Sequence, residues 1–152
     1  MTACMPAFLT SDDERLAAVD PDRSRGSLGI VINRSDAVLL NLRDDKPSIV
    51  HPNQWSVLGG LCDPGEDEAA AIVRELAEEV SLRVTELFPF RRLVDIEGRG
   101  HLLTAFIVRT RAELSDLVLC EGQALGYFSW AEAARLKLVP FARRLLAAYF
   151  EA

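Results

Sequence analysis

An excess of acidic charge confined to one short segment constrains this chain more than any other feature. Residues 62–80 contain seven Asp or Glu residues and a single base, Arg74. The whole chain of 152 residues has 23 acids, 17 Lys or Arg residues and a formal net charge of -6. The remaining residues have 16 acids and 16 bases, so this segment accounts for the entire excess.

Residues 66–80 of the acidic segment have the periodicity of an amphipathic helix. At roughly 100° per residue, one face carries Glu68, Glu75, Glu78 and Glu79. The predicted apolar stripe consists of Ala69, Val73, Leu76, Ala77 and Val80. Like charges at these spacings repel by roughly 0.2–0.5 kcal/mol per pair, and helix C-terminal halves disfavour anions. A bound Mg²⁺ would offset this cost because it prefers several oxygen ligands, whereas a solvated acidic face is the alternative.

Apolar strand patterns surround the predicted helix. Runs 27–33 and 37–43 predict one hairpin, and runs 90–96 and 102–109 predict another around two glycines. A last strand at 125–130 precedes two helices, at 131–137 and 141–150, which are interrupted near a proline. A capping box predicts a short helix over 11–19, within a peripheral N-terminal extension of residues 1–25. Because the sequence has no repeats, low-complexity segments or breaks in composition that would mark a boundary, we expect a single domain over residues 1–152.

Composition excludes several classes of protein. The chain is 49% hydrophobic, yet no apolar run reaches the roughly 18 to 20 residues that span a bilayer. The N-terminus also lacks the pattern of a signal peptide, so we expect a cytoplasmic protein with no membrane partner. Three widely spaced cysteines support neither a disulfide framework nor a zinc site. The acidic balance argues against a nucleic-acid partner, since such partners require neutralised phosphates.

The spacing of residues through the acidic helix closely resembles the Nudix box, G-x5-E-x7-R-E-U-x-E-E-x-G-U, in which U is a bulky aliphatic residue. Gly60 is followed after five residues by Glu66, and after seven more by Arg74-Glu75-Leu76-Ala77-Glu78-Glu79-Val80-Ser81-Leu82. The departure at a fixed position is Ser81, where the family has Gly to end the helix in a left-handed conformation. This departure affects the conformation of the loop after the helix and removes no ligand.

This resemblance implies an α/β fold, namely a Nudix-type α/β/α sandwich with a mixed β-sheet. It implies a hydrolase that cleaves the pyrophosphate of a nucleoside diphosphate linked to another group X, using Mg²⁺ or Mn²⁺. Two or three divalent ions would neutralise the carboxylates and lower the pKa of a bound water that attacks phosphorus. A small-molecule nucleotide is the expected substrate. Dimers are common in the family, so a homodimer is a further expectation.

The resemblance also implies roles within the box. Glu75, Glu78 and Glu79 correspond to metal ligands and candidate catalytic residues, and the backbone carbonyl of Gly60 to a further metal ligand. Glu66 and Arg74 correspond to a supporting pair that orients the loop and the helix. A plain surface salt bridge is the alternative for that pair.

Two candidates lie outside the box. Glu121 occupies the region where many members carry a further acid, so we expect it to bind metal or act as general base, with an exposed loop carboxylate as the alternative. Arg43 resembles an arginine that some members place on substrate phosphate, the alternative being a strand-end cation. Asp95 and Glu97 are weaker candidates for the same role, and we interpret them as a strand end and a turn. The aromatic candidates for base stacking are Phe8, Phe88, Phe90, Tyr127 and Trp130.

The sequence is compatible with several substrates and with a protein that binds a nucleotide without hydrolysing it. The chain has neither the downstream Pro associated with ADP-ribose enzymes nor the Tyr associated with dinucleoside polyphosphate enzymes. A nucleoside triphosphate or small nucleoside diphosphate derivative is therefore expected by elimination. The alternative from another class is a catalytically silent Nudix module that binds a nucleotide or a protein; such modules commonly lose box glutamates, which are intact here. A Nudix-fold isomerase would need a catalytic Cys, and Cys62 is poorly placed for that role.

Overall fold

A computed structural model of the protein describes residues 24–152, so the helix predicted over 11–19 lies outside the described residues. Eleven elements follow one another in the described part. They are β1 (Arg25–Ile32), β2 (Val38–Leu42), β3 (Trp55–Ser56), β4 (Leu58–Leu61), α1 (Glu68–Val80), β5 (Glu86–Val94), β6 (Leu102–Arg109), a 3₁₀ turn (Leu114–Asp116), β7 (Ala124–Phe128), α2 (Trp130–Ala133) and α3 (Pro140–Phe150). No helix among residues 24–152 has the length and apolar character needed to cross a membrane.

Seven strands form one mixed sheet around β1. Its main order is β3-β2-β1-β6-β5, with β4 paired to β1 and β7 paired to β2. Both predicted hairpins are present, since β1 with β2 and β5 with β6 pair antiparallel. β6 runs parallel to β1 along its whole length. The other edge of β1 is shared by two strands. β2 pairs with the end of β1 at Ile32 and Val38, and β4 pairs with residues 26–29.

Helices cover both faces of the sheet. Successive side chains of β1 point to opposite faces, so the strand contributes to two separate cores. The first contains Leu28, Ile30 and Ile32 with Leu145 and Leu146 of α3; the second contains Val31 and Phe106 with Ile72 and Leu76 of α1. Each fully buried Leu or Ile contributes roughly 1.5–3 kcal/mol to stability. The predicted α/β/α sandwich with a mixed sheet is confirmed.

Both ends of α1 are capped. At the start, the Asp67 side chain accepts a hydrogen bond of 2.7 Å from the N–H of Ala70. At the end, Ser81 adopts the left-handed conformation, with φ of 59°, and its N–H donates to the carbonyl of Ala77. Leu82 N–H donates to the carbonyl of Leu76 at 3.1 Å, which completes the usual hydrogen-bond pattern of a glycine cap. Ser81 therefore forms the helix end that Gly forms in the box, at a cost of about 1–2 kcal/mol for a residue with a Cβ.

The buried face of α1 differs from the predicted apolar stripe. The buried residues of the helix are Glu68, Ala71, Ile72, Leu76, Glu79 and Val80. Val73 and Ala77, which were predicted to face the core, are exposed. The helix packs over Gly29 of β1, where the Ile72 side chain lies 3.2 Å from the position a Cβ would occupy. This contact turns Ile72 inward and brings part of the acidic face toward the sheet.

Candidate active site

Glu79 lies at the centre of the acidic face and is only 9% exposed. Its Oε1 accepts a hydrogen bond of 3.0 Å from the N–H of Gly59 in β4. Burial, together with the nearby carboxylates of Glu75 and Glu121, raises the pKa of Glu79 to about 8. The raised pKa indicates that the hydrogen bond from Gly59 does not offset the cost of burying the Glu79 charge beside other acids.

Glu75 lies directly against Gly60 of β4. A Cβ placed on Gly60 would overlap Glu75 Oε2 and would lie 2.8 Å from Oε1. Burial raises the pKa of Glu75, and the adjacent Arg74 opposes that shift. The glycine is therefore required for the carboxylate to occupy its place beside the strand.

Glu121 lies in the loop before β7, and this loop is hydrogen-bonded to the end of α1. The N–H of Cys120 donates to the backbone carbonyl of Glu79 at 3.0 Å, and Val118 N–H donates to the carbonyl of Val80 at 3.0 Å. These bonds hold the loop on the C-terminal end of α1. The Glu121 side chain is exposed, and its carboxylate contributes to the raised pKa values of both Glu75 and Glu79.

Arg74 links the loop and the helix. Its Nε and Nη2 each donate to Glu66 at 2.8 Å, a bidentate pair, and Nη2 also donates to the carbonyl of Leu61 at 3.1 Å. The Arg74 guanidinium, assisted by the Asp63 N–H, lowers the pKa of Glu66 to about 2. Nη1 of Arg74 contacts Glu75 at 3.2 Å and the more exposed Glu78 at 3.1 Å. The structure therefore places Glu66 and Arg74 as a brace between the loop and α1.

The carboxylates of the acidic face are of the ligand type that a divalent cation prefers. Their side chains are not arranged around a common point in this conformation. Within residues 24–152, no group of three or more His, Cys, Asp or Glu side chains is arranged to hold a metal ion. Glu75 and Glu78 contact Arg74 in this conformation. Oxygen donors from Glu75, Glu79 and Glu121 nevertheless influence one another, as their effect on the pKa of Glu79 indicates. Hard cations prefer such ligands, and Glu75 and Glu78 would leave Arg74 to complete the set.

Glu68 is separated from this group, although the helical periodicity placed it on the same face. It accepts hydrogen bonds from Arg25 at 2.6 Å and from Arg92 at 3.3 Å. Its side chain is 8% exposed. Bases from β1 and β5 therefore neutralise this acid, and it takes no part in the carboxylate site.

A cavity of about 460 Å³ opens beside Gly59 and Gly60. This volume lies within the usual range for small-molecule sites, about 300–1,000 Å³. Its walls include the apolar side chains of Leu103 and Phe141 and the predicted Arg43. Arg43 Nε donates to the carbonyl of Val50 at 3.0 Å, which fixes the guanidinium at the cavity wall.

Other candidates from the sequence lie elsewhere. The cavity is not lined by Phe88, Phe90, Tyr127 or Trp130, and Phe8 lies outside the described residues. Among the described residues, Phe141 is the Phe, Tyr or Trp that lines the cavity. Nothing local in the sequence distinguishes it from a core residue. Burial raises the pKa of the Cys62 thiol, so Cys62 does not have the thiolate character of a catalytic cysteine.

Comparison with known proteins identifies the family. The model of the NUDIX domain matches residues 23–149. The chain belongs to the Nudix family. A Bacillus subtilis (strain 168) protein named "Putative 8-oxo-dGTP diphosphatase" is 41% identical over 56 residues. That match covers 37% of this chain and 34% of the relative, so it spans about a third of the relative's length.

Solved Nudix structures share the fold. MutT, from work on Aliivibrio salmonicida and Vibrio cholerae, is 25% identical, with a TM-score of 0.62 over 84% of this chain and 99% of that one. The NUDIX domain of Shewanella oneidensis NrtR, crystallised with ADP ribose, is 18% identical, with a TM-score of 0.71 over 94% of this chain and 98% of that one. The second likeness concerns the fold alone.

The stability of the metal-free Nudix domain is expected to fall as pH rises between about 4.5 and 8. The pKa of Glu79 rises from 4.5 to about 8 on folding, so the folded state binds more protons than the unfolded state in that window. Unfolding by urea in EDTA, measured across this range, tests the sign. Excess Mg²⁺ should restore stability most strongly near pH 8, because it competes with protons for the same carboxylates. A Glu79→Gln variant should show a shallower slope, and a wild-type slope no steeper than that of the variant would contradict the prediction.

Proposed function

We propose that this Nudix protein is a hydrolase that cleaves the pyrophosphate linkage of a nucleoside diphosphate derivative, with Mg²⁺ or Mn²⁺ as cofactor. The observation that carries the proposal is the position of Glu75 against Gly60 and of Glu79 on the N–H of Gly59, because these two glycines line the cavity. The loop that carries Glu121 is hydrogen-bonded to the same end of α1. A cluster of acids at the edge of a pocket of ligand size is suited to a metal-assisted reaction of an anionic substrate.

In the proposed site, Glu75, Glu78, Glu79 and Glu121 would hold the metal together with the backbone carbonyl of Gly60. When bound, a divalent ion supplies positive charge to the pyrophosphate oxygens and lowers the pKa of a coordinated water. Gly60 leaves space for the Glu75 carboxylate.

The remaining residues position the substrate and the metal ligands. Arg74, held by its bidentate contact with Glu66, fixes the loop that leads into α1. Arg43 lies on the wall of the cavity and would bind a substrate phosphate, since a guanidinium pairs well with phosphate oxygens. The apolar wall of the cavity would hold the base or the group X.

A panel of nucleotides with Mg²⁺ tests the proposal. The panel takes its compounds from the names of related proteins, namely 8-oxo-dGTP, ADP-ribose and dihydroneopterin triphosphate, with the common nucleoside triphosphates added. Inorganic phosphate, pyrophosphate and nucleoside monophosphate are measured separately. We expect a nucleoside monophosphate product from at least one compound, and loss of turnover in EDTA.

The same panel distinguishes the alternative reading. Tight binding of a nucleotide without turnover under any metal condition would favour a catalytically silent binding module. Turnover that is unchanged by EDTA would contradict the metal requirement. The product that appears identifies the linkage attacked.

A further inference from the structure

Glu68, the first residue of α1, is a buried acid at a position that the Nudix box leaves unspecified. The residue is 7% exposed, and it is one of the seven between Glu66 and Arg74 where the box accepts any residue. Acids are almost never fully buried unless they are paired, and burying a charge is costly. The partners of Glu68 therefore indicate what the fold gains from this carboxylate.

Hydrogen bonds fasten Glu68 to the sheet. Its Oε2 accepts from Arg25 Nη1 in β1 at 2.6 Å and from Arg92 Nη2 in β5 at 3.3 Å. Arg92 Nε in turn donates to Oγ1 of Thr104 in β6 at 3.1 Å, and Thr104 is fully buried. The backbone carbonyl of Glu68 accepts from Ser27 Oγ in β1 at 2.7 Å. Contacts with separate strands thus fix the N-terminal turn of α1 on the sheet.

The C-terminal half of α1 depends on a closely defined position of the helix. Glu79 Oε1 lies 3.0 Å from the N atom of Gly59, and Glu75 Oε1 lies 2.8 Å from the place of a Cβ on Gly60. A hydrogen bond is lost beyond about 3.5 Å, so a small slide of the helix breaks the first contact. Between its two halves, α1 contacts β1 through apolar side chains such as Ile72. Apolar contacts have no preferred direction, and they define the position less sharply.

We infer that Glu68 is a positioning residue of the proposed site, whose bonds to Arg25 and Arg92 set the place of α1 on the sheet and so keep Glu75 and Glu79 against β4. This inference rests on the proposed function of those two acids. A buried ion cluster often contributes no more stability than apolar side chains of similar size, whereas its hydrogen bonds have direction. The cluster therefore contributes the position of the helix more than the stability of the fold.

Two variants separate position from stability. Glu68→Gln leaves two guanidinium groups without their carboxylate, so we expect its melting temperature to fall by about 5–10 °C. Glu68→Leu combined with Arg92→Met replaces buried charges with apolar side chains, and such replacements are often neutral or stabilising. The side chain of Arg25 is 39% exposed and stays solvated in the double variant. The double variant should therefore regain most of the lost melting temperature, measured in EDTA.

The amide of Gly59 reports the place of Glu79 without metal or substrate. In both variants we expect Gly59 N–H to exchange with solvent at least about 10-fold faster than in the wild-type protein, because its hydrogen bond to the Glu79 carboxylate is lost. Exchange is followed by NMR and expressed relative to amides in the middle of β6, which corrects for a change in overall stability. Turnover with saturating Mg²⁺ should fall about 10- to 100-fold in both variants.

Glu86→Gln is the matched control, since it removes the charge of an exposed acid in β5 and should leave both readouts unchanged. Unchanged exchange at Gly59 in the double variant would overturn the inference, whatever its turnover. A double variant as unstable as Glu68→Gln would also overturn it and assign the cluster to stability. Faster exchange at Gly59 supports the inference even in a protein that turns over no nucleotide, and that result would count against the proposed function alone.

Discussion

Replacing Glu79 by Gln is expected to lower turnover about 10²- to 10³-fold while making the metal-free protein more stable at pH 8. Gln retains the shape of the side chain and can still accept the 3.0 Å hydrogen bond from Gly59 N–H. The change therefore removes mainly a negative charge. Turnover falls because a proposed metal ligand is lost. Stability rises because the folded state no longer buries a carboxylate whose pKa is raised to about 8.

The opposite signs of these two effects separate a functional residue from a structural one. Replacement of a purely structural acid should lower stability and reduce turnover only through unfolding. Turnover is measured with saturating Mg²⁺, and unfolding by urea in EDTA. Glu86→Gln makes the same charge change at an exposed position in β5, and should alter stability by less than about 0.5 kcal/mol. Full turnover in the Glu79 variant would remove this residue from the proposed metal site.

The sequence was sufficient to predict α1 and its acids, but it did not predict which side of the helix is buried. Periodicity treats each acid as a polar residue for solvent, whereas Glu79 is 9% exposed. Val73, which was assigned to the core, is 41% exposed. The difference arises because Gly29 and Gly60 let the helix and Glu75 approach the sheet closely. Such contacts join residues far apart in sequence, so a helical wheel cannot include them.

Strand pairing could likewise be predicted where it is local and not where it is long-range. The turn residues predicted the hairpins of β1 with β2 and of β5 with β6, because adjacent strands with a short polar connection usually pair. Two pairings are long-range features, namely the parallel pairing of β1 with β6 and the pairing of β4 with the edge of β1 that β2 also contacts. They set the position of the cavity, and no local pattern specifies them.

The cavity residues show why the candidate site could be predicted only in part. Glu121 was predicted from its place in a family pattern. A backbone hydrogen bond from Cys120 to Glu79 holds the loop of Glu121 on α1. Asp95 was interpreted as a strand end, which describes its backbone correctly. Its Oδ1 is buried without a hydrogen-bond partner within residues 24–152, which depends on the groups that surround it in the folded chain. The absence of a partner leaves no trace in the sequence.

Replacing Gly60 by Ala is expected to reduce turnover about 10- to 100-fold while leaving the fold intact. The added Cβ would overlap the carboxylate of Glu75, which is the far end of a flexible side chain and can move aside. The backbone of Gly60 is not in the left-handed region that favours glycine, so Ala causes no conformational strain there. The cost should therefore appear in the position of a proposed metal ligand. The measurements are kcat, the Mg²⁺ dependence of turnover and the melting temperature.

Gly59→Ala is the matched comparison one residue earlier in β4. Its Cβ would overlap the backbone carbonyl oxygen of Ser27, and Gly59 has a φ of 149°, which residues with a Cβ rarely adopt. Backbone atoms of a central strand cannot move aside as a side chain does, so we expect a loss of about 3 kcal/mol or more. That loss corresponds to a melting temperature about 6–12 °C lower. If Gly60→Ala were destabilised to the same extent, the clash with Glu75 would be a folding constraint; if it kept full turnover, the place of Glu75 would not matter for the reaction. The result that only the proposed site explains is a stable Gly60→Ala variant whose turnover requires a higher Mg²⁺ concentration.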